Sequence, residues 1–203
     1  MNRVFGNVLV GGGMVLASFC ASQSAFAQAK VFEISSKTFK DGGMLPKKAA
    51  NKNNPDAKQP NPNCVGENVS PELSWVNTPA GTKSFALLMV DPEGRGGAGV
   101  NHWVAYGIPA DVTGFDEGEV SKDGPKFVGG KSTQGVGYYS GPCTPPNVQA
   151  HHYTFVLVAT DFEPKELPPG LTKDEVTAKI VPQGAASRAK GSAGIVGLFV
   201  KPN

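Results

Sequence analysis

Three histidines occur in the 203 residues of this chain, and all three fall within two short motifs. The first runs from Asp91-Pro92-Glu93 to Asn101-His102-Trp103. The second runs from Gly141-Pro142-Cys143-Thr144-Pro145-Pro146 to His151-His152-Tyr153. Each couples a Pro/Gly turn to an apolar, strand-like run with a titratable group at its edge, so two neighbouring strands would bring Asp91, His102 and His151 to one rim. An imidazole offers one N–H when neutral and two when protonated, and its charge changes near neutral pH. The chemistry expected of such a rim is anion binding. Asp91 would repel an anion, so its expected role is to orient a histidine.

The elements that must position these groups are mostly strands. Apolar runs at Val31 to Phe39, Ser84 to Asp91, His102 to Ile108, Tyr153 to Thr160 and Ile195 to Val200 are separated by Gly-, Pro- and Asn-rich connections. The runs Phe85 to Val90 and Phe155 to Ala159 are apolar at every position, the pattern of central strands covered on both faces. A helix is predicted after Thr172, whose hydroxyl is placed to cap Lys173-Asp174-Glu175 ahead of Val176 and Ile180. A second short helix is predicted over Ala185 to Lys190. The segment Pro46 to Asn63 is rich in Lys, Asn and Pro and nearly lacks large apolar residues, so a mobile surface loop is expected there. A second polar stretch runs from Asp116 to Lys131. Neither reads as a domain boundary.

Arg3, an apolar stretch from Val8 to Phe19 and the small-residue ending Ala25-Phe26-Ala27 have the pattern of a secretory signal cleaved before Gln28. Residues 1–27 are thus expected to be a leader, and residues 28–203 one domain in the periplasm or medium. The mature chain has no run long enough to span a membrane. Cleavage removes Cys20 and leaves Cys64 and Cys143, which in an oxidising compartment suggests one disulfide; two unconnected thiols are the alternative. The formal charge of +2 on the full chain leaves no basic stripe for a nucleic acid.

The ordered set of motifs resembles the phosphatidylethanolamine-binding proteins, in particular their bacterial branch, often called Raf-kinase-inhibitor-like proteins. It begins with Cys64-Val65-Gly66-Glu67-Asn68-Val69-Ser70-Pro71-Glu72-Leu73-Ser74-Trp75 and continues through Pro79 to Ala86, Asp91-Pro92-Glu93 and His102-Trp103-Val104. It ends with Gly137-Tyr138, Gly141-Pro142-Cys143, Pro145-Pro146 and His151-x-Tyr153. The resemblance implies a β-sandwich with Greek-key connections, one or two short C-terminal helices, and a small pocket at one end. Its pocket residues would be Asp91, Glu93, His102, Gly141, Pro146, His151 and Tyr153. It also implies phosphate or a phospholipid head group as ligand, a Cys64–Cys143 disulfide, and a protein partner that remains unidentified. Within that frame Gly141 lets backbone N–H groups approach the ligand, Pro145-Pro146 stiffens the turn, and Tyr153 or Tyr138 supplies a phenol O–H. His152 stands where the family has an arginine, and by the period of two it points away from His151 as a structural residue.

Two other chemistries use the same residues. Asp91 with His102 or His151 could serve as the acid/base pair of a hydrolase, with Ser140 as the nearest nucleophile, although no strand-to-helix elbow surrounds it. Asp91, Glu93, His102 and His151 are also possible ligands of a borderline cation, at spacings that match no compact metal motif. The expectation is a receptor rather than an enzyme, with no catalytic residue, metal or cofactor.

Overall fold

The computed structural model describes residues 30–55, 60–146 and 148–202. Its strands in chain order are β1 (Glu33–Ser35), β2 (Gly43–Met44), β3 (Leu73–Val76), β4 (Ser84–Asp91), β5 (Val100–Pro109), β6 (Gly114–Phe115), β7 (Val128–Gly129), β8 (His151–Thr160) and β9 (Ala189–Phe199). The helical elements are a 3-10 turn (Lys47–Ala49), the single turn α1 (Gly94–Gly97) and α2 (Lys173–Ile180). Six strands form one sheet in the order β2-β9-β8-β4-β5-β7, and β1-β3-β6 form a second. The main core contains Trp75 and Phe115 from the small sheet and Phe85, Trp103 and Phe155 from the large one. The expected β-rich architecture is therefore present.

The alternation of side chains explains why β4 is apolar throughout. Phe85, Leu87 and Met89 enter the main core, whereas Ala86 and Leu88 enter a second cluster with Val104, Tyr106, Val176 and Ile180 beneath α2. β8 is central too, with Tyr153, Phe155, Leu157, Ala159 and Thr160 buried, but Val156 and Val158 on its other face are half-buried, short of the double coverage expected. Helix α2 starts as predicted, with reciprocal hydrogen bonds between Thr172 and Glu175.

Three expectations need correction. The run from Val31 to Phe39 yields only the three-residue β1, and Phe39 enters the core from outside any strand. No helix forms over Ala185 to Lys190: Arg188 is held by Asp161 and Glu166, and Ala189 already pairs with Thr160 at the start of β9. Pairing along the sheet overrides the weak local helical preference of Ala-Ala-Ser. The segment Pro46 to Asn63 is not a free loop at its start. Ala49 and Ala50 are buried, Asn51 N–H donates to the Pro142 carbonyl at 2.8 Å, and Asn68 N–H donates to the Ala50 carbonyl at 2.8 Å. Small side chains let this backbone sink between the motif loops, where hydrogen bonds rather than apolar bulk fix it. The polar stretch Asp116 to Lys131 is likewise anchored, by buried Val120 and Phe127.

Cys64 and Cys143 form a disulfide across 79 residues of sequence. In the loop-closure picture a bridge of that span stabilises by about 4 kcal/mol, and measured values cluster near 2–4 kcal/mol. Urea unfolding of a Cys64→Ser/Cys143→Ser double variant should show a loss of about 2–4 kcal/mol. Wild-type stability in that variant would mean that the loops hold their places without the bridge.

Candidate functional site

Strand pairing alone gathers the motif residues. Antiparallel registers Val90↔Thr154 and Asp91↔Val100 bring the end of β4 beside the starts of β8 and β5. His151 and Tyr153, two apart on β8, share a face. His102 arrives on that face by a bulge: Met89 pairs with Trp103 and Val90 with Asn101, so His102 is the additional residue on β5. The insertion lets His102 and Trp103 turn to the same face of β5 although they are consecutive.

At the centre of the cluster lies the buried carboxylate of Asp91. Its Oδ1 accepts the Gly94 N–H at 2.9 Å and its Oδ2 accepts Nδ1–H of His151 at 2.8 Å. His102 Nε2 stands 4.0 Å from that Oδ2, while His102 Nδ1 donates to the Ser140 carbonyl at 2.8 Å. A carbonyl only accepts, so the His102 proton is on Nδ1 and the Nε2 lone pair faces Asp91 and the pocket. Burial lowers the His102 pKa despite the opposing pull of the Ser140 carbonyl and Asp91. The Tyr153 ring meets His102 edge-on with centroids 5.1 Å apart, and burial, followed by the charge of Asp91, keeps its phenol protonated. The orienting role expected of Asp91 is what the geometry shows.

These groups line a cavity of 390 Å³. Five of the seven residues anticipated there, Asp91, Glu93, His102, His151 and Tyr153, do line it, joined by Arg95, Gln134, Asn61, Cys143 and Pro145. Gly141 does not. Its N–H is taken by Asn68 Oδ1 at 2.8 Å, and a Cβ there would lie 2.0 Å from the Ala49 carbonyl oxygen. Glycine is needed because another strand of backbone, not a ligand, comes close. Pro146 is exposed and its neighbour Pro145 takes the wall position. Tyr138 lines an adjacent cleft with Asn51, Asn68 and Ser140.

Glu93 lies at the rim, where its Oε2 accepts the His152 N–H at 3.1 Å and its Oε1 bonds His152 Nδ1 at 2.7 Å. Burial would raise its pKa, but these bonds prevail and hold it at about 2. His152 is exposed and directed outward, as the period of two required, yet it clamps the loop after β4 to the start of β8. Gln134 and Asn61 escaped the sequence reading because isolated amides in polar loops carry no pattern. Asn61 is held by the N–H groups that follow it, Asn63 N–H donating to its Oδ1 at 3.0 Å and Cys64 N–H to its carbonyl at 3.0 Å, while Lys201 Nζ donates to the Pro62 carbonyl and Asn63 Oδ1 and Cys64 is tied to Cys143.

Two outcomes test this construction. The folded state refuses a proton on His102 that the unfolded chain accepts near the ordinary imidazole value of about 6.5. The stability contributed by this group is therefore complete above that value and declines as pH falls below it, by up to about 1.4 kcal/mol per pH unit. Urea midpoints of His102→Gln should fall less than those of the wild type between pH 7.5 and 5; equal falls would contradict the assignment. Gly141→Ala should destabilise by about 1–3 kcal/mol through forced displacement of the Ala49 backbone, and thermal unfolding unchanged from wild type would rule that contact out.

Comparison with known proteins bears on the same residues. The family model described as phosphatidylethanolamine-binding protein matches residues 35–191. A UPF0098 protein of Aquifex aeolicus is 32% identical over 176 residues, covering 83% of this chain and 88% of its own length. A protein of Mycobacterium tuberculosis that carries the lipoprotein name LppC is 32% identical over 171 residues, covering 84% of this chain and 73% of its own. The crystal structure of Escherichia coli YbcL, described as a member of the mammalian PEBP family, superposes with a TM-score of 0.68 at 29% identity, covering 83% of this chain and 97% of that one. Motif order, sandwich and matched span agree: the chain belongs to the phosphatidylethanolamine-binding protein family.

Proposed function

We propose that the protein is a non-catalytic receptor for a small oxyanion, such as phosphate or a phosphorylated head group, bound in the cavity at the ends of β4, β5 and β8. The observation that carries this reading is the pair of engaged Nδ1 atoms. His102 donates its Nδ1–H to Ser140 and burial disfavours its charged form, so it has no N–H left for a ligand, and the Nδ1–H of His151 is taken by Asp91. The donors at the wall are instead the Arg95 guanidinium and the amides of Gln134 and Asn61. His102 Nε2 is an acceptor, so the favoured ligand brings both negative oxygens and a hydrogen to donate. Inorganic phosphate meets that requirement through the P–OH it keeps at neutral pH; a monoester, whose second pKa is about 6, does so in its monoanionic form, and sulfate does not.

Among the described residues no serine, threonine or free cysteine lines the cavity, which weighs against the hydrolase alternative. Ser140 is buried, and its hydroxyl accepts from Asn51 Nδ2 at 2.9 Å on the side of the neighbouring cleft. Export to the periplasm or medium is supported by the leader-like residues 1–27, which lie outside the described residues, and by the lipoprotein name of LppC. Among the described residues no helix is long and apolar enough to cross a membrane. A role as inhibitor or scaffold of a protein partner rests on the family resemblance alone.

Calorimetric titration of metal-stripped protein with phosphate, phosphoethanolamine and sulfate at pH 7 tests the reading. Phosphate and phosphoethanolamine should saturate one site, and sulfate should bind at least about tenfold more weakly because it leaves the His102 acceptor unpaired. Sulfate binding as tight as phosphate would contradict the role given to His102, and turnover of p-nitrophenyl esters above background would revive the hydrolase.

A further inference from the structure

Resting on the receptor reading, one feature of the pocket calls for a second ligand. Asp91 and Glu93 carry two negative charges at a site meant for an anion, and the one guanidinium on its wall is that of Arg95 at the mouth. Two like charges a few ångströms away oppose an oxyanion strongly in so sheltered a place. Ligand atoms of Asp91, Glu93 and His151 all lie within 4.8 Å of one another. His102 adds an independent sign. Its side chain is 4% exposed, its Nδ1 is held by a backbone carbonyl, and its Nε2 lone pair faces the same group, 4.0 Å from Asp91 Oδ2. A ring nitrogen whose partner N–H is fixed by a carbonyl is the usual second-shell arrangement of a metal-binding histidine.

We propose that Asp91, Glu93, His151 and His102 form a site for one divalent cation of the zinc type, which bridges the protein's carboxylates to the bound oxyanion. Two carboxylate oxygens and two imidazole nitrogens are a donor set that such borderline cations accept. The cation takes the position of the hydrogen that His151 Nδ1 now donates to Asp91 Oδ2; that proton moves to Nε2 or to solvent, and the two positive charges of the cation offset both carboxylates. An oxyanion then adds as a fifth ligand from the Arg95 side of the cavity, meeting the cation in place of the His102 lone pair it meets in the metal-free form. The His152 bond to Glu93 orients that carboxylate at the rim.

The test is calorimetric titration of metal-stripped full-length protein with zinc chloride in a non-coordinating buffer, followed by phosphate titration of the zinc-loaded and zinc-free forms. One zinc per chain is expected, with affinity reduced about 100-fold or more in Asp91→Asn and His151→Gln and little changed in Lys190→Gln, a surface control. Cobalt(II) added to the wild type should give visible d–d absorption, a readout that requires no variant to fold. Phosphate should bind about tenfold tighter with zinc present, and zinc correspondingly tighter with phosphate. Absence of saturable zinc binding, or unchanged zinc affinity in folded Asp91→Asn and His151→Gln, overturns the proposal. Equal phosphate affinity with and without zinc overturns the bridge and leaves the receptor reading intact; zinc binding with no phosphate binding in either form contradicts the receptor and the bridge together.

Discussion

A carboxylate removed from water must be met by hydrogen bonds, and the burial of Asp91 sets the terms for everything around it. Its two oxygens are satisfied by the Gly94 N–H and by His151. The first bond fixes the turn after β4, which carries Arg95 to the mouth; the second fixes the ring of His151 at the start of β8. Tyr153 and His102 are then packed against this group with their own polar atoms constrained by burial. This one buried carboxylate thus holds His151 and the turn that bears Arg95, while the Ser140 carbonyl orients His102 beside it.

The bulge in β5 and the close approach at Gly141 are the backbone counterparts of this constraint. Without the additional residue at His102, the alternation of β5 would turn His102 and Trp103 to opposite faces, and His102 would lie away from His151 and Tyr153. Without a glycine at 141, the Ala49 backbone could not lie under the second motif, and the Ser140 carbonyl that orients His102 would move with it. The disulfide and the Lys201 contacts act one layer further out, holding the loop that bears Asn61 against the turn that bears Pro145. Catalytic chemistry would ask for an exposed nucleophile in this setting. The described lining of the pocket offers instead fixed acceptors, carboxylates and a few donors, and the proposed receptor reading is built on these groups.

Much of this was legible in the sequence. The apolar runs located the cores of β4, β5, β8 and β9, and Thr172 marked the start of α2, because these signals depend only on side-chain alternation and a local cap. Asp91, His102 and His151 could be singled out because their residue types are scarce and their motifs are ordered. Gly141 and Pro146 were assigned to the ligand for want of any local means to tell a backbone neighbour from a bound anion. The burial of Ala49 and Ala50 was hidden because composition reports bulk, whereas that segment is held by hydrogen bonds to residues far along the chain. Likewise, the tautomer of His102 depends on a carbonyl 38 residues away in sequence, and no pattern records that pairing.

The central claim is that His102 holds its proton on Nδ1 and turns its Nε2 lone pair toward the cavity. Nitrogen NMR of the imidazole rings in metal-free, ligand-free protein at neutral pH, with the three histidines assigned through single variants, reads this directly. The expected result for His102 is a protonated Nδ1 and a bare Nε2. A spectrum with the His102 proton on Nε2 would break its bond to the Ser140 carbonyl, supply the pocket with an anion donor, and contradict the account.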